Sequence, residues 1–466
     1  MKLTKQKYSL NLSTGICLFG SLLVILKMMT GSQIFLILFL ILVSIGIIND
    51  KIENKILYIL YFVPWAYVIK FYFNQMSLIT VLSALYCVVV AVYILLYKTR
   101  ISIFYIITIV SVFIYSFFSL LINSSASTVS ILSFLLNFVV IYFATLFVLD
   151  KKVIPHYILF HALGLTVSGG VSFLGNSIPA IENYITSFTV LHTMNTTDNL
   201  YTRFTGLDMD PNYFSIQVLI AIACLLIIVF SNQVKLTNNQ KVLSYIYIFI
   251  LSIMGLLTFS KMFIISFAVL IISVLIILLK DNIKQGLYYL LSFSSVLGLT
   301  TYIFYDFFYQ AYFFRFFSEG NNASSITSGR SAIWLSYYYE ITSNPQILFI
   351  GDGISDHFFN DKLSHNMYLI AWYYLGIVGL LVFMILFIAL YIQLKNNLNV
   401  KSSFSILSLS SIPLFIIVFA NFSLDSFVMD YFGVHVFLVI LTLVLGVNDS
   451  PELLAKAPIK LIAESS

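Results

Sequence analysis

Two stretches of the sequence combine residue types that can hold and transform an anionic substrate. The first is Arg203-Phe204-Thr205-Gly206-Leu207-Asp208-Met209-Asp210-Pro211-Asn212-Tyr213. Asp210 before Pro211 is a helix start, with aspartate at the N-cap and proline at the first helical position. Capping explains those two residues and does not explain Arg203. A guanidinium beside a helix N-terminus adds to the positive end of the helix dipole, and its planar fork grips two phosphate oxygens together. Asp208 and Asp210 also form a D-x-D pair, which holds a divalent metal in transferases that use nucleotide sugars. Nucleotide sugars are cytoplasmic, whereas the charge pattern described below places this loop outside, so no metal or other cofactor is assigned.

The second stretch contains Ser328-Gly329-Arg330, Trp334, Gly351-Asp352-Gly353, and Ser364-His365-Asn366-Met367-Tyr368 followed by Gly376. Histidine is the side chain best suited to general-base chemistry near neutral pH. A lone histidine at a membrane interface is more often structural. His365 stands out because Arg315 and Arg330 precede it on the same loop. His357 is the weaker candidate. His161 and His435 lie in apolar runs and read as satisfied core residues, while His156 and His192 carry no motif. Ser260-Lys261 marks a short turn that adds one more cation. Ser364 reads as the cap of the following helix, and the glycines read as turns. The chain has no H-E-x-x-H, P-loop, G-x-S-x-G or dinucleotide fingerprint.

The elements that must position these residues are set by composition. Of 466 residues, 60% are hydrophobic and 9% charged, far from the roughly 25% charged residues of a soluble domain. That excludes an ordinary cytosolic enzyme, a disordered chain and fibrous repeats, and no nucleic-acid partner is expected. Cys17, Cys87 and Cys224 all sit in apolar runs, so neither a disulfide framework nor a thiolate metal site is expected. The expected fold is an all-α polytopic membrane protein of about 14 transmembrane helices (12–14). Their cores lie at 14–29, 33–48, 56–73, 77–97, 101–122, 129–149, 157–176, 212–231, 242–259, 262–280, 286–306, 366–394, 404–421 and 431–447. The basic leader of Lys2, Lys5 and Lys7 lacks a small-residue cleavage pattern, so the first segment is expected to be retained.

Charge fixes the expected orientation. With the N-terminus inside, every cytoplasmic segment holds at least two cations, such as Lys51 with Lys55, Lys151 with Lys152, or Lys456 with Lys460. Both termini then face the cytoplasm. The exceptions are Lys27, Lys70, Arg203, Lys261, Arg315, Arg330 and Lys362. Lys27 and Lys70 are expected to snorkel from span ends to the headgroups. The chain has only four arginines, and three of them fall on the outer side. The organisation expected is helices 1–7 over 1–176, an outer loop at 177–211, helices 8–11 over 212–306, a second outer loop at 307–365, and helices 12–14 with a short tail over 366–466. Ser331 to Thr342 is expected to form a short helix in the second loop, with Trp334, Tyr337 and Tyr338 on its apolar face.

Taken together, the motifs over about 203–390 resemble the O-antigen ligase/polymerase superfamily of bacterial membrane glycosyltransferases. The matching positions are Arg203, Gly206, Asp210, Pro211 and Asn212; Ser260 and Lys261; Gly329, Arg330 and Trp334; Gly351 and Gly353; and His365, Asn366, Tyr368 and Gly376. The resemblance implies oligosaccharide on undecaprenyl pyrophosphate, handled at the outer face of the bacterial cytoplasmic membrane. It also implies His365 as base for the acceptor hydroxyl, with Arg203 and Arg330 on the departing pyrophosphate. Arg315, Lys261, Asp210, Asn212, Asn366 and Tyr368 would bind substrate, and a flippase and a chain-length regulator would be partners. Two departures stand out. The family's turn arginine is Lys261 here, and the R-x10-G spacing of some polymerases does not follow Arg203 or Arg330. Polymerisation of repeat units is the expected activity; transfer of finished glycan to an anchor and transport of a lipid-linked oligosaccharide are the alternatives.

Overall fold

The computed structural model describes residues 2–445 apart from 71–76, 98–100, 102, 124–126, 176, 190–192, 196–199, 232, 282, 285–286, 289–290, 292–294, 296–297, 299–301, 303–304, 306–308, 310–328, 356–358, 399, 401–407, 425–428 and 430. The chain is built almost wholly of helices. In order they are α1 (Lys2–Thr30), α2 (Ile34–Asn49), α3 (Lys55–Phe62), α4 (Leu78–Tyr97), α5 (Ile103–Ile122), α6 (Thr128–Leu146), α7 (Ile154–Gly175) and α8 (Pro179–Thr186). Next come a ribbon of β1 (Thr193–Asn195) antiparallel to β2 (Leu200–Thr202), then α9 (Pro211–Phe230), α10 (Asn238–Leu257) and α11 (Lys261–Asp281). The second long loop contributes α12 (Arg330–Ser343) and α13 (Pro345–Phe349). The chain continues through α14 (Met367–Asn397), α15 (Ile412–Ala420) and α16 (Phe432–Leu445).

The central post is α9. Its sequence carries no charge and is apolar on every side, and a helix of that kind must be surrounded. Nearly every residue from Pro211 to Ile228 is buried, with α7, α10, α11, α15 and α16 packed around it. The N-terminal helices join this group through α7, where Gly164 lets the Tyr61 backbone approach; a Cβ there would lie 2.2 Å from the Tyr61 carbonyl oxygen. On the other side, α14 packs against α5, α6 and α13. It breaks at Gly376, whose φ of +60° suits glycine. The break receives the loop at Gly351, where a Cβ would lie 2.3 Å from the Tyr374 carbonyl oxygen. Asp352 N–H and Gly353 N–H donate to the Tyr373 and Tyr374 carbonyls, at 2.8 and 3.1 Å. The G-x-G run is therefore a docking turn.

Eight of the described helices are long and apolar enough to cross a membrane, and four further apolar helices run only 10–17 residues. One expected span is shorter than the hydropathy implied. The helix expected over 56–73 ends at Phe62 and passes into a 3-10 turn through Pro64, which has no N–H to continue the ladder. Of the one expected over 404–421, the described residues begin at Ser408, with a 3-10 turn at Leu409–Ser411 and Pro413 in the first turn of α15. Expected span 286–306 lies largely outside the described residues, as do Arg315, His192, His357 and the tail beyond 445. Lys27 does not snorkel. It is 1% exposed, covered by α8, and its ammonium meets the Tyr184 hydroxyl. Lys70 instead lies over the Tyr67 ring, 4.3 Å from its centroid.

Candidate functional site

The first half of the site forms where the loop before α9 meets the α10–α11 turn. Arg203 is 8% exposed. Its Nε donates to the Thr258 carbonyl oxygen at 2.9 Å, and a terminal nitrogen donates to Asn212 Oδ1 at 3.0 Å. The same Asn212 oxygen accepts from Ser260 Oγ at 2.8 Å. Phe204 N–H donates to the Leu257 carbonyl at 3.1 Å, so loop and turn run side by side. Asp210 caps α9 as expected, accepting from Asn212 N–H at 2.7 Å. Asn212 stands in the first turn of α9 and Ser260 just before α11. Arg203 thus sits where the positive ends of two helices of about 20 residues meet. Lys261, the first residue of α11, is half-buried at that junction.

Asp208 and Asp210 are held apart in function. Asp208 is buried, accepting from Met209 N–H and from Gln217 Nε2, both at 2.7 Å. Burial, reinforced by the nearby Asp210 charge, pushes its carboxyl up to about 8. Asp208 is thus turned to Gln217 within the fold, while Asp210 serves as the α9 cap. Gly206, with φ of +60°, packs so closely on the Phe214 ring that a Cβ would lie 2.4 Å from it.

The second half forms around α12, which covers Arg330–Ser343 and so contains the short helix expected at 331–342. It begins after Gly329, whose φ is +80°. Arg330 is half-buried, and one of its terminal nitrogens donates to the Ser423 carbonyl at 2.8 Å. Trp334 Nε1 donates to the Ser364 carbonyl and the Tyr337 hydroxyl to the Lys362 carbonyl, each at 2.8 Å. These bonds pin the residues just before His365. His365 has φ of +49°, a left-handed conformation a non-glycine residue rarely holds without support. The helix cap is Asn366 and not Ser364. Asn366 Oδ1 accepts from Tyr368 N–H and Leu369 N–H at 3.0 and 3.2 Å. Ser364 Oγ accepts from Asn366 N–H and donates to its carbonyl, closing a small loop under His365.

The two halves share α15. It packs against α9 and α11, which carry the Arg203 cluster, while the Tyr368 hydroxyl donates to its Val418 carbonyl at 2.8 Å. Arg330 reaches the 3-10 turn that follows it, at Ser423. Farther along, Tyr431 packs on Tyr213 in the first turn of α9, with ring centroids 6.5 Å apart. Arg203, Arg330 and His365 therefore lie at one end of the helical bundle, flanking α15. Arg315 lies outside the described residues.

The sequence reading missed the residues that do the holding: Thr258, Ser260 as partner to Asn212, Ser423 and Gln217. Only Ser260 had a local signal, as a small hydroxyl residue before a helix. No family model matches the chain, and no curated protein or solved structure shows significant similarity to it.

Proposed function

We propose that the chain is a membrane glycosyltransferase that extends a glycan carried on undecaprenyl pyrophosphate. The reading places fourteen spans in a bacterial cytoplasmic membrane, both termini inside, and the site on the outer face. The glycan on lipid pyrophosphate is the donor, and a lipid-linked repeat unit presents the acceptor hydroxyl. His365 takes the hydroxyl proton as the oxygen attacks the anomeric carbon. The bond from that carbon to the pyrophosphate oxygen breaks, and Arg203 and Arg330 neutralise the charge that departs. Preorganised charge at a leaving group is often the largest single catalytic contribution. Lys261, Asn212, Asn366 and Tyr368 hold the edges of the site, and direct displacement inverts the anomeric centre.

One observation carries this reading. Two arginines and a histidine from loops more than 100 residues apart are fixed at one end of the bundle, beside two helix N-termini. The test is reconstitution of the purified protein with lipid-linked repeat units alone. A ladder of lengthening glycan is expected. Transfer of a finished glycan to a second lipid without lengthening would make it a ligase. Repeat units moved across the bilayer without any new glycosidic bond would make it a transporter.

A further inference from the structure

The interior holds a polar pair that glycan transfer does not use. His161 of α7 and His435 of α16 are both fully buried, with ring centroids 6.2 Å apart and planes at 77°. His161 Nδ1 lies 2.9 Å from the Leu60 carbonyl oxygen. A carbonyl can only accept, so Nδ1 carries the proton and Nε2 of the neutral ring is an acceptor. That Nε2 and both nitrogens of His435 have no hydrogen-bond partner among the described residues. The histidines are core residues, as their apolar surroundings implied, but the described residues satisfy only one of their four ring nitrogens. Tyr431, one helical turn before His435, packs against it with centroids 4.9 Å apart and planes tilted by 39°.

With no direct bond between the rings, their separation bears on what joins them. A direct N–H···N bond of about 3.0 Å would bring the centroids to about 5.4 Å or less. A tetrahedral metal with bonds of about 2.1 Å would also hold them near 5.3 Å. One water with hydrogen bonds of about 2.9 Å at a near-tetrahedral angle sets them about 6.5 Å apart. The observed 6.2 Å fits the water. We propose that an internal water-binding site joins α7 to α16, its O–H donated to His161 Nε2 and its oxygen accepting an N–H from His435. Buried water commonly serves polar groups that a fold cannot pair directly. Here it would fasten an N-terminal helix to the helix whose first turn lies beside α9, and the assignment holds whatever the chain's reaction.

Radiolytic footprinting tests this, because hydroxyl radicals generated at bound water oxidise the side chains that touch it. The full-length protein in lipid nanodiscs would be pulsed and its peptides mapped. His161 or His435 should be oxidised well above the background of an equally buried ring with no polar atom, such as Phe39. In His435→Phe, oxidation at His161 should drop to that background. Oxidation of both histidines at background in the wild type would overturn the proposal, and that arm requires no variant to fold. A stoichiometric metal in the purified protein, with signal altered by its removal, would overturn it in favour of a metal site.

Discussion

The two arginines of the candidate site are held in different ways. Arg203 is buried, and its fork is engaged by the Thr258 carbonyl and by Asn212, which also takes the Ser260 hydroxyl. It works as the keystone between the loop before α9 and the α10–α11 turn, and it adds its charge to two helix N-termini. Arg330 is half-buried at the first turn of a loop helix, and one of its terminal nitrogens reaches across to the Ser423 carbonyl. The comparison teaches that the buried arginine ties two segments together, whereas the half-buried one stands at the more open edge of the candidate site. Substitutions should separate those roles.

The largest effects should fall on the second half. Arg330→Lys keeps the charge and loses the fork, so glycan extension should drop about 10²-fold while folded yield stays near wild type. His365→Ala should lose a similar factor, about 10² or more, with the protein still inserted. Extension rate and folded yield measured on the same preparations check both, and a fall in yield matching the fall in rate would make Arg330 a keystone too. Arg203→Lys should behave differently. Losing its bonds to Thr258 and Asn212 should lower stability by about 1–3 kcal/mol, seen as earlier thermal unfolding, in addition to slowing extension. Full stability in that variant would erase the distinction. Asn366→Ala removes a helix cap and should cost about 1 kcal/mol, again read by thermal unfolding.

The smallest effect concerns pH. Asp208 is pushed up to about 8 by burial and then by Asp210. The folded chain therefore keeps a proton that the unfolded chain releases at an ordinary carboxylate pKa of about 4. Its stabilising contribution is complete below that value and is lost as pH rises through 8. Wild-type unfolding temperature should decline across that window. Asp208→Asn, which mimics the protonated group beside Gln217, should flatten the decline. An unchanged slope would mean that Asp208 is ionised in the folded protein.

Much of the framework can be read from sequence, because hydropathy and cap chemistry act locally. The Asp210-Pro211 start of α9 and the short helix at 330–343 both follow from neighbours within a turn. Contacts between distant segments are not legible in this way. Arg203 meets Thr258 across 55 residues and Arg330 meets Ser423 across 93. Neither acceptor is a side chain, so no residue type marks it. Lys27 misled for a related reason. Its place near the end of an apolar segment fits a lipid-facing lysine equally well, and only the position of α8 over it decides. Ser364 and Asn366 are both acceptable caps, and the backbone turn at His365 selects the second.

The central claim is that both halves act on one leaving group. A double-mutant cycle on extension kinetics, with Arg203→Lys, Arg330→Lys and the pair, measures this once rates are corrected for folded protein. Residues sharing one departing pyrophosphate should couple by more than about 0.5 kcal/mol, so that the double variant loses clearly less than the product of the single losses. Losses that simply multiply, within that margin, would mean that the two arginines serve separate anions and that α15 does not join them into one site.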